Sequence, residues 1–187
     1  MPIHNQMKRR TFLKLGGMSV AAALAPTSLF ASTPKQHKNE EFRSLSLYNL
    51  HTGESLHTTY WEQGVYHPGA LEEINHVLRD FRTDETHDMD IALFDLLHDI
   101  RNKTGSNKSF NVISGYRSPK TNAMLNHTTQ GVAKKSLHMV GKAIDINLPG
   151  FDLTHLRKIA MDERQGGVGF YPKSNFVHVD TGRVRHW

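Results

Sequence analysis

The stretch Lys134-Lys135-Ser136-Leu137-His138-Met139-Val140-Gly141-Lys142-Ala143-Ile144-Asp145-Ile146 decides how this chain is read. It sets Asp145 between two isoleucines, with His138 seven residues upstream. A carboxylate among apolar neighbours is costly unless something compensates its charge. Read as a strand over 143–147, the segment turns Ala143 and Asp145 to one face and Ile144 and Ile146 to the other. The isoleucines then belong to a core and Asp145 to a cleft, while Gly141 permits the bend that returns His138 to the same place. Near the end of the chain, Phe176-Val177-His178-Val179-Asp180 repeats the arrangement: His178 and Asp180 share a face, and the valines pack behind. His, Asp and His are apt ligands for zinc, with one position left for water, which is the pattern of a catalytic site. The competing reading is ordinary. The chain has 13 histidines, so His178 and Asp180 can be a surface pair and Asp145 a turn acceptor. On pattern alone the two readings stand level.

Outward from these motifs the chain reads as follows. Leu45 to Leu50 alternates like a half-buried strand, Thr52-Gly53 turns, and Ser55 to Trp61 returns, predicting a hairpin. Leu71, Ile74, Leu78 and Phe81 share one face of a helix predicted over 68–82, and Ile91, Phe94, Leu97 and Ile100 define another over 91–103, stopped by Gly105. A strand is expected over 110–114, a short helix over 121–126, a strand over 143–147, a helix over 153–164, and strands over 168–171 and 176–180. Helices mostly first and then alternating with strands predict an α+β fold with a small mixed or antiparallel sheet.

The chain has 187 residues, no cysteine and a net charge of +5. Four of its 23 basic residues, Lys8, Arg9, Arg10 and Lys14, lie within residues 1–31, where there is no acid; the remaining 19 face 18 acids. The domain is therefore close to neutral, and no basic stripe interleaved with aromatics points to a nucleic-acid partner. Arg9-Arg10-Thr11-Phe12-Leu13 followed by a mildly apolar, Ala-rich run reads as a twin-arginine export signal over 1–31. The alternative, an uncleaved membrane anchor, is weakened by Gly16, Gly17 and Pro26, which break a short apolar run, so no stable membrane span is expected after processing. Residues 32–41 read as a polar linker and 42–187 as the folded domain. An exported chain without cysteine relies on its core, a metal, or both.

The string Ser136-x-His138-x-x-Gly141-x-Ala143-x-Asp145 tips the balance. It resembles the first half of the zinc site of the LAS peptidases, a group that includes lysostaphin-type enzymes, D-Ala-D-Ala metallopeptidases and hedgehog domains. The likeness extends through Ser114-Gly115-Tyr116-Arg117-Ser118, Gly166-Gly167-Val168-Gly169 and Asn175 to Gly182. With the hairpin and the twin-arginine leader, nearly the whole chain resembles the murein endopeptidase K family. That resemblance implies the LAS metallopeptidase fold and a periplasmic zinc endopeptidase. Its expected partners are peptidoglycan stem peptides and their cross-links, cut at bonds to meso-diaminopimelate, diaminopimelate–diaminopimelate links included. It also implies passage through the twin-arginine export machinery.

Carried over by position, the metal ligands are His138, Asp145 and His178, and Arg117 is the residue that holds a substrate carboxylate or polarises the cut carbonyl. One departure stands out. D-Ala-D-Ala dipeptidases have a glutamate base three residues before the last histidine ligand, and here Asn175 cannot take a proton. Asp180 is the candidate for that role, or else it orients His178 from behind; His186 is a further candidate. Asn175 also feeds the rival reading, a non-catalytic module that binds peptidoglycan or peptide and keeps zinc for structure. His76, His87 and His98 are expected at the solvated surface, and Tyr48, Tyr60 and Trp61 in packing.

Overall fold

The computed structural model of the chain describes residues 40–129 and 132–187; the expected export signal and all but the last two linker residues lie outside the described residues. The described chain is α+β. Strands β1 (Phe42–Asn49), β2 (Ser55–Glu62) and β3 (Val65–Tyr66) come first, then helices α1 (Pro68–Val77) and α2 (Ile91–Thr104). Then follow β4 (Phe110–Ser114), α3 (Pro119–Thr128), β5 (Ala143–Asn147), α4 (Leu153–Glu163), β6 (Gly167–Tyr171), β7 (Phe176–Asp180) and β8 (Arg185–His186). The eight strands make one mixed sheet in the order β3-β2-β1-β4-β5-β7-β6-β8. β1 runs parallel to β4 and β6 to β8, and every other pair is antiparallel.

Alternation decides which face each strand buries. Leu45 and Leu47 of β1, Val112 of β4, Ile144 and Ile146 of β5 and Val177 and Val179 of β7 all enter one core. Helix α2 covers this face with Leu93, Phe94, Leu97 and Ile100, and α4 adds Leu156 and Ala160. Because Ile144 and Ile146 are fully buried, truncating either to alanine should cost about 2–5 kcal/mol. Asp90 begins α2 by accepting a hydrogen bond from Ala92 N at 3.0 Å, and Asp152 does the same for α4 from His155 N at 2.8 Å. Among the described residues no helix is long and apolar enough to cross a membrane.

Two expectations change. Helix α1 stops at Val77 rather than Arg82, because Asp80 claims the next turn: it accepts from Arg82 N at 3.0 Å and, across the fold, from Ser118 N at 2.9 Å. His98 is buried, not solvated. It stands on α2 with Nδ1 3.2 Å from Ser44 O and Nε2 3.0 Å from Asn102 Nδ2, so it ties the helix to β1.

Candidate metal centre

The opening motif folds as a capped turn. Ser136 accepts a hydrogen bond from His138 N through its hydroxyl and starts a single 3-10 turn, Leu137–Val140. Gly141 ends it in the left-handed region at φ +67°, and a Cβ there would lie 2.5 Å from Asp88 O. Serine starts the turn, glycine closes it, and His138 is left pointing inward. The next residues enter β5, where Asp145 pairs directly with His178 of β7. The three expected ligands thus come together: His178 Nδ1 is 2.8 Å and His138 Nε2 3.3 Å from Asp145 Oδ1, and the two nitrogens are 3.2 Å apart.

The outer nitrogens say which inner atoms carry lone pairs. His138 Nδ1 donates to Gly115 O at 2.8 Å, since a carbonyl only accepts. His178 Nε2 likewise faces Asp180 Oδ2 at 3.1 Å. With both outer nitrogens protonated, each neutral ring turns a lone pair inward, toward the carboxylate oxygen and toward the other ring. Three electron-rich atoms within 3.3 Å of one another repel unless a cation or added protons lie between them. This donor set fits one metal ion. The charges around the carboxylate and the rings carry the same tension. Burial pushes the Asp145 carboxyl up, but His138 and His178 outweigh it and hold it well below the usual carboxylate range. Burial also pushes His178 down, and the carboxylates of Asp145 and Asp180 outweigh that and raise it above an ordinary histidine.

Asp180 is fully buried and committed on both oxygens. Oδ1 accepts from Gly167 N, Gly182 N and Arg185, at 2.8–3.0 Å, and Oδ2 from His178 and Arg185, the latter at 2.7 Å. Burial raises this carboxyl, and these donors together hold it far below the usual range. Arg117 stands on the other flank, with Nη2 3.6 Å from Asp145 Oδ2 and 3.3 Å from Ser114 Oγ, and its buried Nε has no partner. Asn175, in the left-handed conformation at φ +54°, ends the turn before β7; its carbonyl accepts from Asn147 Nδ2 at 2.9 Å. The centre opens into a cleft of about 460 Å³ that Arg117, Lys135, Tyr171, Phe176 and Trp187 also line. Sequence reasoning missed Tyr171 and Trp187. Only the parallel pairing of β6 with β8 brings the last residue beside Tyr171, and no local pattern announces that pairing.

Two imidazoles and a carboxylate converging at the floor of an open cleft is the build of a metallopeptidase, an enzyme class the comparisons bear out. A family model described as peptidoglycan L,D-endopeptidase MepK matches residues 37–187. The chain is 45% identical over 181 residues to the peptidoglycan L,D-endopeptidase MepK of Escherichia coli strain K12, covering 96% of each chain. It is 41% identical over 182 residues to the probable peptidoglycan L,D-endopeptidase MepK of Haemophilus influenzae, covering 96% of this chain and 95% of that one. No solved structure matches it. The chain belongs to the peptidoglycan L,D-endopeptidase MepK family. Membership of a peptidase family sets aside the non-catalytic module that Asn175 had suggested.

Proposed function

We propose that the chain is a zinc-dependent endopeptidase of exported location that cuts peptide cross-links in peptidoglycan at bonds to meso-diaminopimelate, including diaminopimelate–diaminopimelate links. The observation that carries this reading is the triangle of His138 Nε2, Asp145 Oδ1 and His178 Nδ1, whose edges run from 2.8 to 3.3 Å. A tetrahedral zinc site with bonds of about 2.0–2.1 Å has donor–donor edges of roughly 3.3 Å, so the side chains need move little to hold the ion. When bound, zinc supplies Lewis acidity at the cut carbonyl and makes water nucleophilic near neutral pH.

The chain's own residues supply the rest. Asp180 is a positioning residue: with both oxygens already filled, it fixes the His178 ring and its tautomer rather than receiving a proton from water. Arg117 binds substrate oxygen. Burial makes its charged form costly and lowers its pKa, and a substrate oxygen brought to the guanidinium in the cleft would repay that cost. Residues 1–31 serve as the twin-arginine signal that delivers the domain, residues 42–187, to the periplasm. Lysine at both Arg9 and Arg10 should retain the protein inside the cell, read by fractionation.

The decisive experiment incubates purified protein with cross-linked muropeptide dimers and follows the products by chromatography and mass spectrometry. Dimers should split, a chelator should stop the reaction, and added zinc should restore it. Dimers left intact by zinc-loaded protein would overturn the proposal.

A further inference from the structure

Trp187 is 47% exposed at the edge of the cleft, although its indole N–H, its backbone N–H and its carbonyl are all engaged. Its Nε1 donates to Tyr171 Oη at 2.8 Å, its backbone N–H to Val168 O at 3.2 Å, and its carbonyl accepts from Phe170 N at 3.0 Å. Arg185, the residue clamped on Asp180, lies 4.8 Å from the centre of its ring. The indole is therefore held in place, half-exposed on the cleft and 5.4 Å from the His178 ring, centre to centre. Gly169, the register partner of His178, makes the seat: a Cβ there would come within 2.7–2.8 Å of the indole and 2.9 Å of the Tyr171 ring. A fixed, exposed aromatic face beside the reacting centre is built to receive hydrocarbon.

The bond between the two rings has a second consequence. An indole N–H only donates, so the phenol oxygen of Tyr171 must be the acceptor. The phenol's own proton is then free, and among the described residues no acceptor takes it. Stacking on Phe176, 4.6 Å away between ring centres, fixes the Tyr171 ring as well. The cleft thus presents a half-exposed indole next to a phenol O–H free to donate.

We propose that Trp187 and Tyr171 form a subsite for the amine-side diamino acid of the cross-link: its methylene chain lies on the Trp187 face, and its free carboxylate accepts the Tyr171 hydroxyl proton. This rests on the peptidoglycan reading above, because meso-diaminopimelate joined through one amine keeps a carboxylate on the carbon that bears the cut nitrogen. Tyr171 is then a specificity-determining residue, and Trp187 both binds the chain and positions Tyr171.

The test compares two muropeptide dimers, one with that carboxylate free and one with it converted to carboxamide, using zinc-loaded full-length protein. The wild type should favour the free acid by about 10- to 100-fold in kcat/KM, and Tyr171→Phe should shrink that preference to within about threefold. Trp187→Ala should raise KM for both dimers by about 10-fold or more, with kcat little changed. Trp187→Phe keeps the ring face but not the N–H, so it should lose preference for the acid while retaining most of the affinity. Zinc content and the far-ultraviolet circular dichroism of each variant identify any that are merely misfolded; Trp187→Phe then carries the test. A preference unaltered in Tyr171→Phe, a preference for the acid fully kept in Trp187→Phe, or a defect confined to kcat in a folded, zinc-loaded Trp187→Ala overturns this subsite. Failure of the wild type to cut either dimer would instead sink the peptidoglycan reading.

Discussion

The sheet carries two polar clusters of similar make, one half-buried and one buried, and they differ in how they are closed. On the β1–β2 side, Asp95 of α2 takes Arg43 Nη1 at 2.9 Å, the Tyr60 hydroxyl at 2.8 Å and the Tyr66 hydroxyl at 3.0 Å. Arg43 also reaches Glu40 at 3.3 Å and lies 4.4 Å from the centre of the Trp61 ring. Each charge there meets its opposite, and each phenol proton has an acceptor. On the β5–β7 side, Asp145 meets two rings whose protons have already gone elsewhere, to Gly115 O and Asp180. The first cluster is complete within the protein and holds helix to sheet. The second is complete only when a cation or added protons lie among its three donors. Carboxylates and their neighbours look alike in both; the direction of the hydrogen atoms separates scaffold from site.

The comparison breaks most sharply at the ligands. Asp145→Asn or His178→Ala should abolish stoichiometric zinc binding, measured by plasma mass spectrometry, and lower kcat/KM by about 10³-fold or more. Asp95→Ala should do the reverse: zinc content and kcat stay near wild type, while denaturant unfolding loses about 2–3 kcal/mol as Arg43 and two phenols lose their acceptor. Asp180→Asn should weaken zinc affinity by about 10- to 100-fold in competition with a chelating dye, since it frees the back of His178.

A pH titration separates the clusters more finely. His178 is raised in the metal-free protein, so its contribution to stability is full below the ordinary histidine pKa of about 6.5 and fades as pH rises through the higher folded value. Zinc needs that ring neutral, so protons and metal compete. Chelated protein should melt higher at pH 6 than at pH 8, and zinc-loaded protein should show the opposite order. The same sign in both states would mean that the triangle does not hold the ion. The smallest effect belongs to the closed cluster: Tyr66→Phe should cost about 1 kcal/mol in chemical unfolding and leave hydrolysis untouched.

Much of this was legible in the sequence where a local rule was in force. The bounds of β4, β5 and β7 follow from alternation between apolar pairs and turn residues, and the ligands follow from which face each strand buries. What stayed hidden depends on distant pairings. Nothing near Pro68 says that Asp80 will bond to Ser118, so α1 was read too long. His98 sits on a polar-looking stretch of α2, and only its meeting with Ser44 O of β1 explains its burial. Asp180 could be placed on the face of His178, but not the filling of its oxygens by Gly167, Gly182 and Arg185.

The pairing of Asp145 with His178 across β5 and β7 also protects the enzyme against misassembly. Side chains alternate along a strand, so a slip of one residue by either strand would turn its candidate ligand into the oily interior and push its isoleucines or valines out to water. The greasy side and the polar side therefore proof-read each other: a chain that seats its hydrocarbon correctly has no choice but to bring Asp145 and His178 together.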